Sequence, residues 1–126
     1  ASAQRLAEMF ESHPAVENVN YPGLASSLSH QRARSCLDGY GGMLSIALRG
    51  GLPAARRFCG ALRLAIVAPS LGGVETLVTR PAETSHVSMP RAEREAIGIT
   101  DGLVRISVGI EDTDDLAEDF RAALDA

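Results

Sequence analysis

The chain has 126 residues, of which 45% are hydrophobic and 22% charged, a composition typical of one soluble globular domain. Its 12 basic and 16 acidic residues give a formal net charge of −4, which argues against nucleic acid or an anionic membrane as a partner. The longest apolar stretch, residues 62–69, includes Arg63 and is too short to span a bilayer. We therefore expect a soluble, cytoplasmic protein with no membrane association.

Hydrophobic periodicity predicts alternating helices and strands in the first half of the chain. An amphipathic helix is predicted over residues 2–12, where Pro14 ends it, and a strand over 16–21. A short helix over 30–37 follows, with Ala33, Cys36 and Leu37 turned inward. A strand at 43–49 alternates Leu44, Ile46 and Leu48 with smaller residues, and an amphipathic helix begins at Pro53.

The second half of the chain carries three further strands, predicted at 64–68, 74–79 and 103–108. Helices are predicted over residues 90–96 and 114–124, the second capped by Asp112 or Thr113. The links between neighbouring strands are too short for a doubly wound parallel sheet. The predicted fold class is therefore α+β, a small, largely antiparallel sheet covered by helices, in a single domain of residues 1–126.

The sequence offers few groups for metal binding or covalent chemistry. Cys36 and Cys59 stand among apolar residues and are expected to be buried, reduced thiols. His13, His30 and His86 lack metal-ligand spacing, so no metal site is predicted. All 12 basic residues are arginine, and without lysine no side chain can form a Schiff base.

Arg105 is the residue that most needs explanation, because it stands in the middle of an otherwise apolar strand. A carboxylate ligand would satisfy its guanidinium bidentately. The alternative, which the pattern alone favours, is an internal salt bridge to Glu75 or Glu111. The turn at 70–73, Ser-Leu-Gly-Gly, has two alternative interpretations: it presents backbone N–H groups to an anion, or it simply connects two strands.

The acidic residues between 111 and 119 resemble a metal-binding loop only in charge. The segment lacks the glycine and the alternating ligands of a calcium loop. We therefore interpret it as a capped helix whose acidic face is solvated.

Several motifs resemble one known family over almost the whole chain. They are SLGGVETL at 70–77, Pro81-Ala82, His86 and GITDGLVRISVGIED at 98–112, preceded in the same order by His13-Pro14, YPGL at 21–24, His30 and GGMLS at 41–45. This pattern resembles the C-terminal small domain of the Cys/Met-metabolism family of pyridoxal-phosphate (PLP) enzymes of fold type I. The family includes cystathionine γ-synthase, cystathionine γ-lyase, methionine γ-lyase and the O-acylhomoserine sulfhydrylases.

The resemblance implies roles for particular residues. Arg105 matches the arginine that holds the α-carboxylate of the substrate. Ser70, with Leu71 and Gly72 in the same turn, matches the main chain that helps to hold that carboxylate. Ser85 stands where the family usually has threonine, at the edge of the active site. No catalytic or cofactor-binding residue of the family falls within this chain.

The resemblance also implies what lies outside these residues. In the family, a preceding large domain carries the lysine that bonds to PLP and the groups that bind the cofactor. We therefore expect this chain to be the C-terminal part of a longer PLP-dependent carbon–sulfur lyase or transferase, inactive alone and homotetrameric when complete. Its expected substrate is a sulfur-containing amino acid, processed by β- or γ-elimination or replacement. The alternative is a freestanding, non-catalytic binding or oligomerisation module.

One departure from the family bears on the substrate. Members that process cystathionine typically carry glutamate immediately before the Ser-Leu-Gly turn, and this chain has Pro69 there. The resemblance thus favours lyase-like action on a sulfur-containing amino acid or conjugate other than cystathionine.

Overall fold

A computed structural model describes residues 2–36 and 38–126. Its elements follow the predicted order. They are α1 (Ser2–Ser12), β1 (Val16–Asn20), α2 (His30–Cys36), β2 (Met43–Leu48), α3 (Gly51–Ala61), β3 (Ile66–Val67), β4 (Leu77–Thr79), a 3₁₀ turn (Pro81–Glu83), α4 (Arg91–Ala96), β5 (Leu103–Ser107) and α5 (Thr113–Leu124). No helix in the described ranges is long and apolar enough to cross a membrane.

The strands form one five-stranded sheet in the order β1-β2-β5-β4-β3. The pairs β1–β2, β2–β5 and β4–β5 are antiparallel, and β3–β4 is parallel. The sheet is thus mixed and mainly antiparallel, which confirms the predicted α+β class. β5 is the central strand of the sheet, and its side chains alternate between the two faces.

The helices α1, α3 and α5 cover one face of the sheet and bury three aromatic rings against each other. The ring centroids of Phe10 and Phe120 are 5.3 Å apart, and those of Phe58 and Phe120 are 6.0 Å apart. Ile46 and Ile106 meet these helices from the sheet and are fully buried. The apolar stripes predicted for the three helices therefore form one core.

Two predicted strands are shorter in the structure than their sequence suggested. β3 keeps only two residues and β4 only three, and Val74 is exposed outside β4. The backbone of Val74 is pulled toward the end of β5, where its carbonyl accepts a hydrogen bond from the N–H of Ile110 at 2.9 Å. Residues before Leu77 therefore follow the 109–111 segment and do not extend the sheet.

The prediction for the cysteines is half correct. Both thiols are free, and Cys59 is buried, where desolvation raises its pKa to about 11. Cys36 is exposed, contrary to the prediction, at the last position of α2, a helix in which Ala33 is the buried residue. Leu37, predicted to point inward beside it, lies outside the described residues.

The interpretation of the acidic segment as a solvated face is wrong for Glu111, which accepts hydrogen bonds from Thr76, and for Asp119. Asp112 caps α5 as predicted, accepting the N–H of Asp115 at 3.1 Å. Asp119, however, is buried and accepts three backbone N–H groups, from Arg63, Leu64 and Ala65, at 2.8 to 3.0 Å. The carboxylate thus supplies acceptors to a chain segment between α3 and β3 that has no sheet partner of its own.

Candidate functional site

Polar side chains form a row across the face of the sheet opposite α1, α3 and α5. Backbone pairing places Asn20 opposite Ser45, Ser45 opposite Arg105, and Arg105 opposite Thr79. Val104 and Ile106 flank Arg105 on β5, point to the helix-covered face and are fully buried. Alternation along β5 therefore aims the guanidinium away from the core.

Among the described residues, the guanidinium of Arg105 bonds to backbone carbonyls and to no carboxylate. Its Nη2 donates to the carbonyl oxygens of Pro69 at 3.0 Å and Ser70 at 3.1 Å. Its Nε is buried without a hydrogen-bond partner, and no bond joins Nη1 to a described residue. Two of the three guanidinium nitrogens are thus uncommitted. A buried cationic donor in that state is costly unless an acceptor arrives from elsewhere.

The salt bridge expected as the alternative for Arg105 is wrong for both partners. Within the described chain, neither Glu75 nor Glu111 lies within ion-pair distance of Arg105. Glu75 is exposed. The Glu111 carboxylate accepts from the backbone N–H and the hydroxyl of Thr76, each at 2.7 Å, and has no oxygen turned to the guanidinium.

The Ser70–Gly73 turn lies beside Arg105. Gly72 has a φ of 77°, in the left-handed region that favours glycine, and its N–H donates to Ser107 Oγ at 2.8 Å. The N–H groups of Ser70 and Leu71 have no acceptor among the described residues. The turn and Arg105 together therefore hold several unused donors, a set that suits an anion with two oxygens.

Glu111 holds the far end of the same loop. Burial alone would raise the pKa of Glu111, but the hydrogen bonds from Thr76 and from its own backbone outweigh burial and lower it. The N–H of Gly109 donates to Thr76 Oγ1 at 2.9 Å. The backbone carbonyl of Val74 also lies so close to Gly109 that a Cβ there would collide with it. These contacts fix the loop of residues 69–76 against the end of β5.

A shallow pocket of about 230 Å³ lies along one side of the guanidinium. Its lining residues are Asn20, Met43, Leu44, Ser45 and Arg105. Ser45 Oγ accepts from Asn20 Nδ2 at 3.0 Å. Arg105 is therefore accessible from β2 and β1 as well as from the Ser70–Gly73 turn.

Ser85 does not contact Arg105 or the Ser70–Gly73 turn. Its hydroxyl lies 2.8 Å from Nδ1 of His86, in the segment after the 3₁₀ turn. That segment approaches the Arg105 row through Thr84, whose hydroxyl is 3.3 Å from that of Thr79. A hydrogen bond from Arg56 lowers the pKa of Glu83 and anchors the 3₁₀ turn to α3.

Sequence reasoning thus located Arg105, Ser70, Leu71 and Gly72, which the structure brings together. It missed Ser107 and Glu111 as parts of the same site. Ser107 carried a usable signal, since it lies two residues after Arg105 and so projects to the same face. Glu111 carried none, because its partner Thr76 is 35 residues away.

A sequence profile described as Cys/Met metabolism PLP-dependent enzyme matches residues 1–125. The chain belongs to this family. Curated relatives within the family include a cystathionine γ-lyase of Bacillus subtilis, 45% identical over 124 residues, which cover 98% of this chain and 32% of that protein. The L-methionine γ-lyase of Pseudomonas putida is 48% identical over 126 residues, covering 100% of this chain and 32% of that protein.

Solved structures of the family agree with the fold. A putative O-acetylhomoserine (thiol)-lyase from Campylobacter jejuni, which contains N′-pyridoxyl-lysine-5′-monophosphate, superimposes with a TM-score of 0.94 at 34% identity. The match covers 99% of this chain and 30% of that structure. A cystathionine γ-lyase from Micromonospora echinospora gives a TM-score of 0.92 at 37% identity, covering 99% of this chain and 32% of the other. The chain thus spans about a third of the length of its relatives.

Proposed function

We propose that this chain is the C-terminal, substrate-carboxylate-binding domain of a longer PLP-dependent carbon–sulfur lyase or transferase. The proposed reaction is β- or γ-elimination or replacement on a sulfur-containing amino acid. The observation that carries the proposal is the state of Arg105: two carbonyls anchor its guanidinium, yet its buried Nε has no partner among the residues that the structure describes. An α-carboxylate supplies the missing acceptors.

The neighbouring turn supports the same ligand. Ser70 and Leu71 have backbone N–H groups with no acceptor among the described residues, on the loop that Arg105 itself holds. A carboxylate has two oxygens, so one can meet the guanidinium while the other meets an amide. Ser85 is proposed at the edge of the substrate site, since its segment reaches the Arg105 row through Thr84 and Thr79.

The residues of this chain do not fit covalent attachment of PLP, because the sequence contains no lysine. We therefore place the cofactor mainly on the large domain that the proposal assigns to the rest of the protein, and the isolated segment is expected to be inactive. When bound, PLP supplies an electron sink that stabilises negative charge at the α-carbon of the amino acid. The role of Arg105 is to bind the α-carboxylate and so to orient the amino acid.

The substrate class is narrowed by Pro69. Its carbonyl accepts from Arg105, and its side chain brings no charge to the position where members that process cystathionine carry glutamate. We favour a sulfur-containing amino acid or conjugate without a distal ammonium group. The complete protein is proposed to be a cytoplasmic homotetramer, the assembly that the family resemblance implies.

The first test concerns the larger protein. The intact mass and absorbance spectrum of the protein from its source should reveal a species much heavier than 13.3 kDa with a visible cofactor band. A colourless protein of only this mass would contradict the enzyme and favour a carboxylate-binding or assembly module.

The second test isolates the carboxylate. Glycine and methylamine differ only by the α-carboxylate, so the ratio of their affinities for the holoenzyme, followed by the cofactor's absorbance, reports carboxylate recognition. Arg105→Lys keeps the charge but loses the planar fork, and should lower that ratio by roughly 10- to 100-fold. Arg57→Lys, at an exposed position on α3, is the matched control and should leave the ratio unchanged. An unchanged ratio in Arg105→Lys would remove Arg105 from the site.

A further inference from the structure

We propose that Ser107 is a positioning residue of the carboxylate site. Its hydroxyl holds the N–H of Gly72 and so sets the Ser70 and Leu71 amides at a fixed place relative to Arg105. The inference rests on the proposed function, since it concerns how the same site is kept ready for its ligand.

Ser107 is held rigidly by the sheet. The residue is buried, with a relative exposure of 3%. Its backbone is paired on both sides, to Met43 of β2 and to Leu77 of β4. Ser107 and Arg105 are two residues apart on one strand, so the hydroxyl and the guanidinium share a rigid support.

The turn that Ser107 holds has little else to fix it. Between the Arg105 contacts to Pro69 and Ser70 and the Ile110 contact to Val74, the hydrogen bond from Gly72 is the one tie that the described residues provide. Leu71, Gly72 and Gly73 are all exposed, so packing does not order them. Two adjacent glycines give the free backbone a wide conformational range.

The hydrogen bond therefore determines how much ordering the ligand itself must impose. With the hydroxyl present, the turn is ordered before binding, and the ligand meets amides already in place. Without it, carboxylate binding must also immobilise the turn, and the affinity falls. Affinity for an amine without a carboxylate is unaffected, because such a ligand does not use the turn.

The test compares Ser107→Thr with Ser107→Val in the full-length holoenzyme. The two side chains have nearly the same shape, and only threonine keeps the hydroxyl. Ser107→Val should lower the affinity for glycine relative to methylamine by roughly tenfold, the effect of one lost backbone hydrogen bond. Ser107→Thr should restore the ratio to within about twofold of the unsubstituted protein. Hydrogen exchange at Gly72 should be faster in Ser107→Val and slow again in Ser107→Thr.

The outcomes separate the two proposals. If Arg105→Lys lowers the glycine-to-methylamine ratio and Ser107→Val does not, the role of Ser107 is overturned while the carboxylate site stands. If neither substitution changes the ratio, the proposed function itself is overturned. If valine disrupts folding, as the cofactor's absorbance and the melting temperature would reveal, Ser107→Ala removes the hydroxyl without adding bulk and should show the same loss.

Discussion

The two faces of the sheet use the same strands for different purposes. On the helix-covered face, Val104 and Ile106 are fully buried and meet a core centred on three phenylalanine rings. On the opposite face, Arg105 projects from between them into a row of polar side chains, and its guanidinium has no carboxylate partner in the described part of the chain. A single strand thus carries stability on one side and a candidate binding group on the other.

The difference follows from the environment of each face. Apolar side chains gain free energy when removed from water, and the three helices remove them completely. A guanidinium on that face would lose its hydration without compensation. On the opposite face, the loop of residues 69–76 supplies carbonyls that hold Arg105 while two of its nitrogens remain uncommitted. Changes to the two faces should therefore have separable effects on stability and on carboxylate affinity.

The strongest test of the helix-covered face is Phe120→Ala. Phe120 packs against both Phe10 and Phe58, so its loss leaves a cavity at the junction of three helices. The free energy of unfolding should fall by about 3–5 kcal/mol, measured by urea denaturation. The glycine-to-methylamine ratio of the folded holoenzyme should not change. A large change in the ratio with little loss of stability would contradict the separation of the two faces.

Asp119→Asn tests a polar anchor on the same side of the molecule. Asparagine has the same shape, but its NH₂ group would face N–H groups that now donate to a carboxylate oxygen. Stability should fall by about 2–3 kcal/mol because buried donors lose their acceptor. Gln4→Asn, a change at a partly exposed side chain of α1, serves as a milder reference. Equal urea midpoints for Asp119→Asn and the unsubstituted chain would show that the loop after α3 does not depend on Asp119.

Glu111→Gln tests the hydrogen bonds by which Glu111 holds Thr76, at the end of the loop that carries the Ser70–Gly73 turn. Because folding lowers the pKa of Glu111, its ionised form contributes stability above its ordinary pKa of 4.5, and this contribution is lost as the pH falls through the lower folded value. The substitution should cost roughly 1–2 kcal/mol at pH 7 and should flatten the decline of stability below pH 4.5. The measurement is urea denaturation at a series of pH values. If stability depended on pH in the same way in Glu111→Gln and the unsubstituted protein, the hydrogen bonds of Glu111 would not stabilise the loop.

The smallest effect is expected at the surface pair of Arg5 and Asp114. Their nitrogen–oxygen distance is 2.6 Å, but both side chains are mostly exposed, at 59% and 78%. Arg5→Gln should change the free energy of unfolding by less than about 0.5 kcal/mol, because water and salt screen exposed pairs. It should leave carboxylate affinity unchanged as well, which makes it a baseline for the other variants. A loss comparable to that of Phe120→Ala would mean that the pair supports the α1–α5 contact.

Local pattern was sufficient for most of the fold. The bounds of α1 agree with the prediction, and β1, β2, β5, α4 and α5 differ from it by one residue at an end. Periodicity succeeds there because one face of each element is buried and the other is not. It overestimated the lengths of β3 and β4 because of contacts that are distant in sequence. Asp119 accepts the backbone N–H groups of Leu64 and Ala65 before β3, and residues 109–111 draw away the segment before β4.

The sequence likewise located some parts of the candidate site and not others. The position of Arg105 in an apolar strand already marked it as unusual, and the family motifs located the Ser70–Gly73 turn. The partners of the charged groups could not be predicted, since Glu75 and Glu111 were equally plausible for Arg105 by sequence and neither contacts it. Ion-pair partners depend on distances in space, which no local pattern encodes.

What the amino-acid sequence determined by itself is the alternation of β5, the apolar stripes of three helices and membership of a PLP-dependent family. What only the tertiary structure decided is which acidic groups serve the backbone and which donors remain unused. Asp119 and Glu111 resemble their solvated neighbours in sequence, yet each satisfies backbone N–H groups that are more than 30 residues away. The reason is that buried polar groups must find partners wherever the chain brings them, and the fold alone sets those distances.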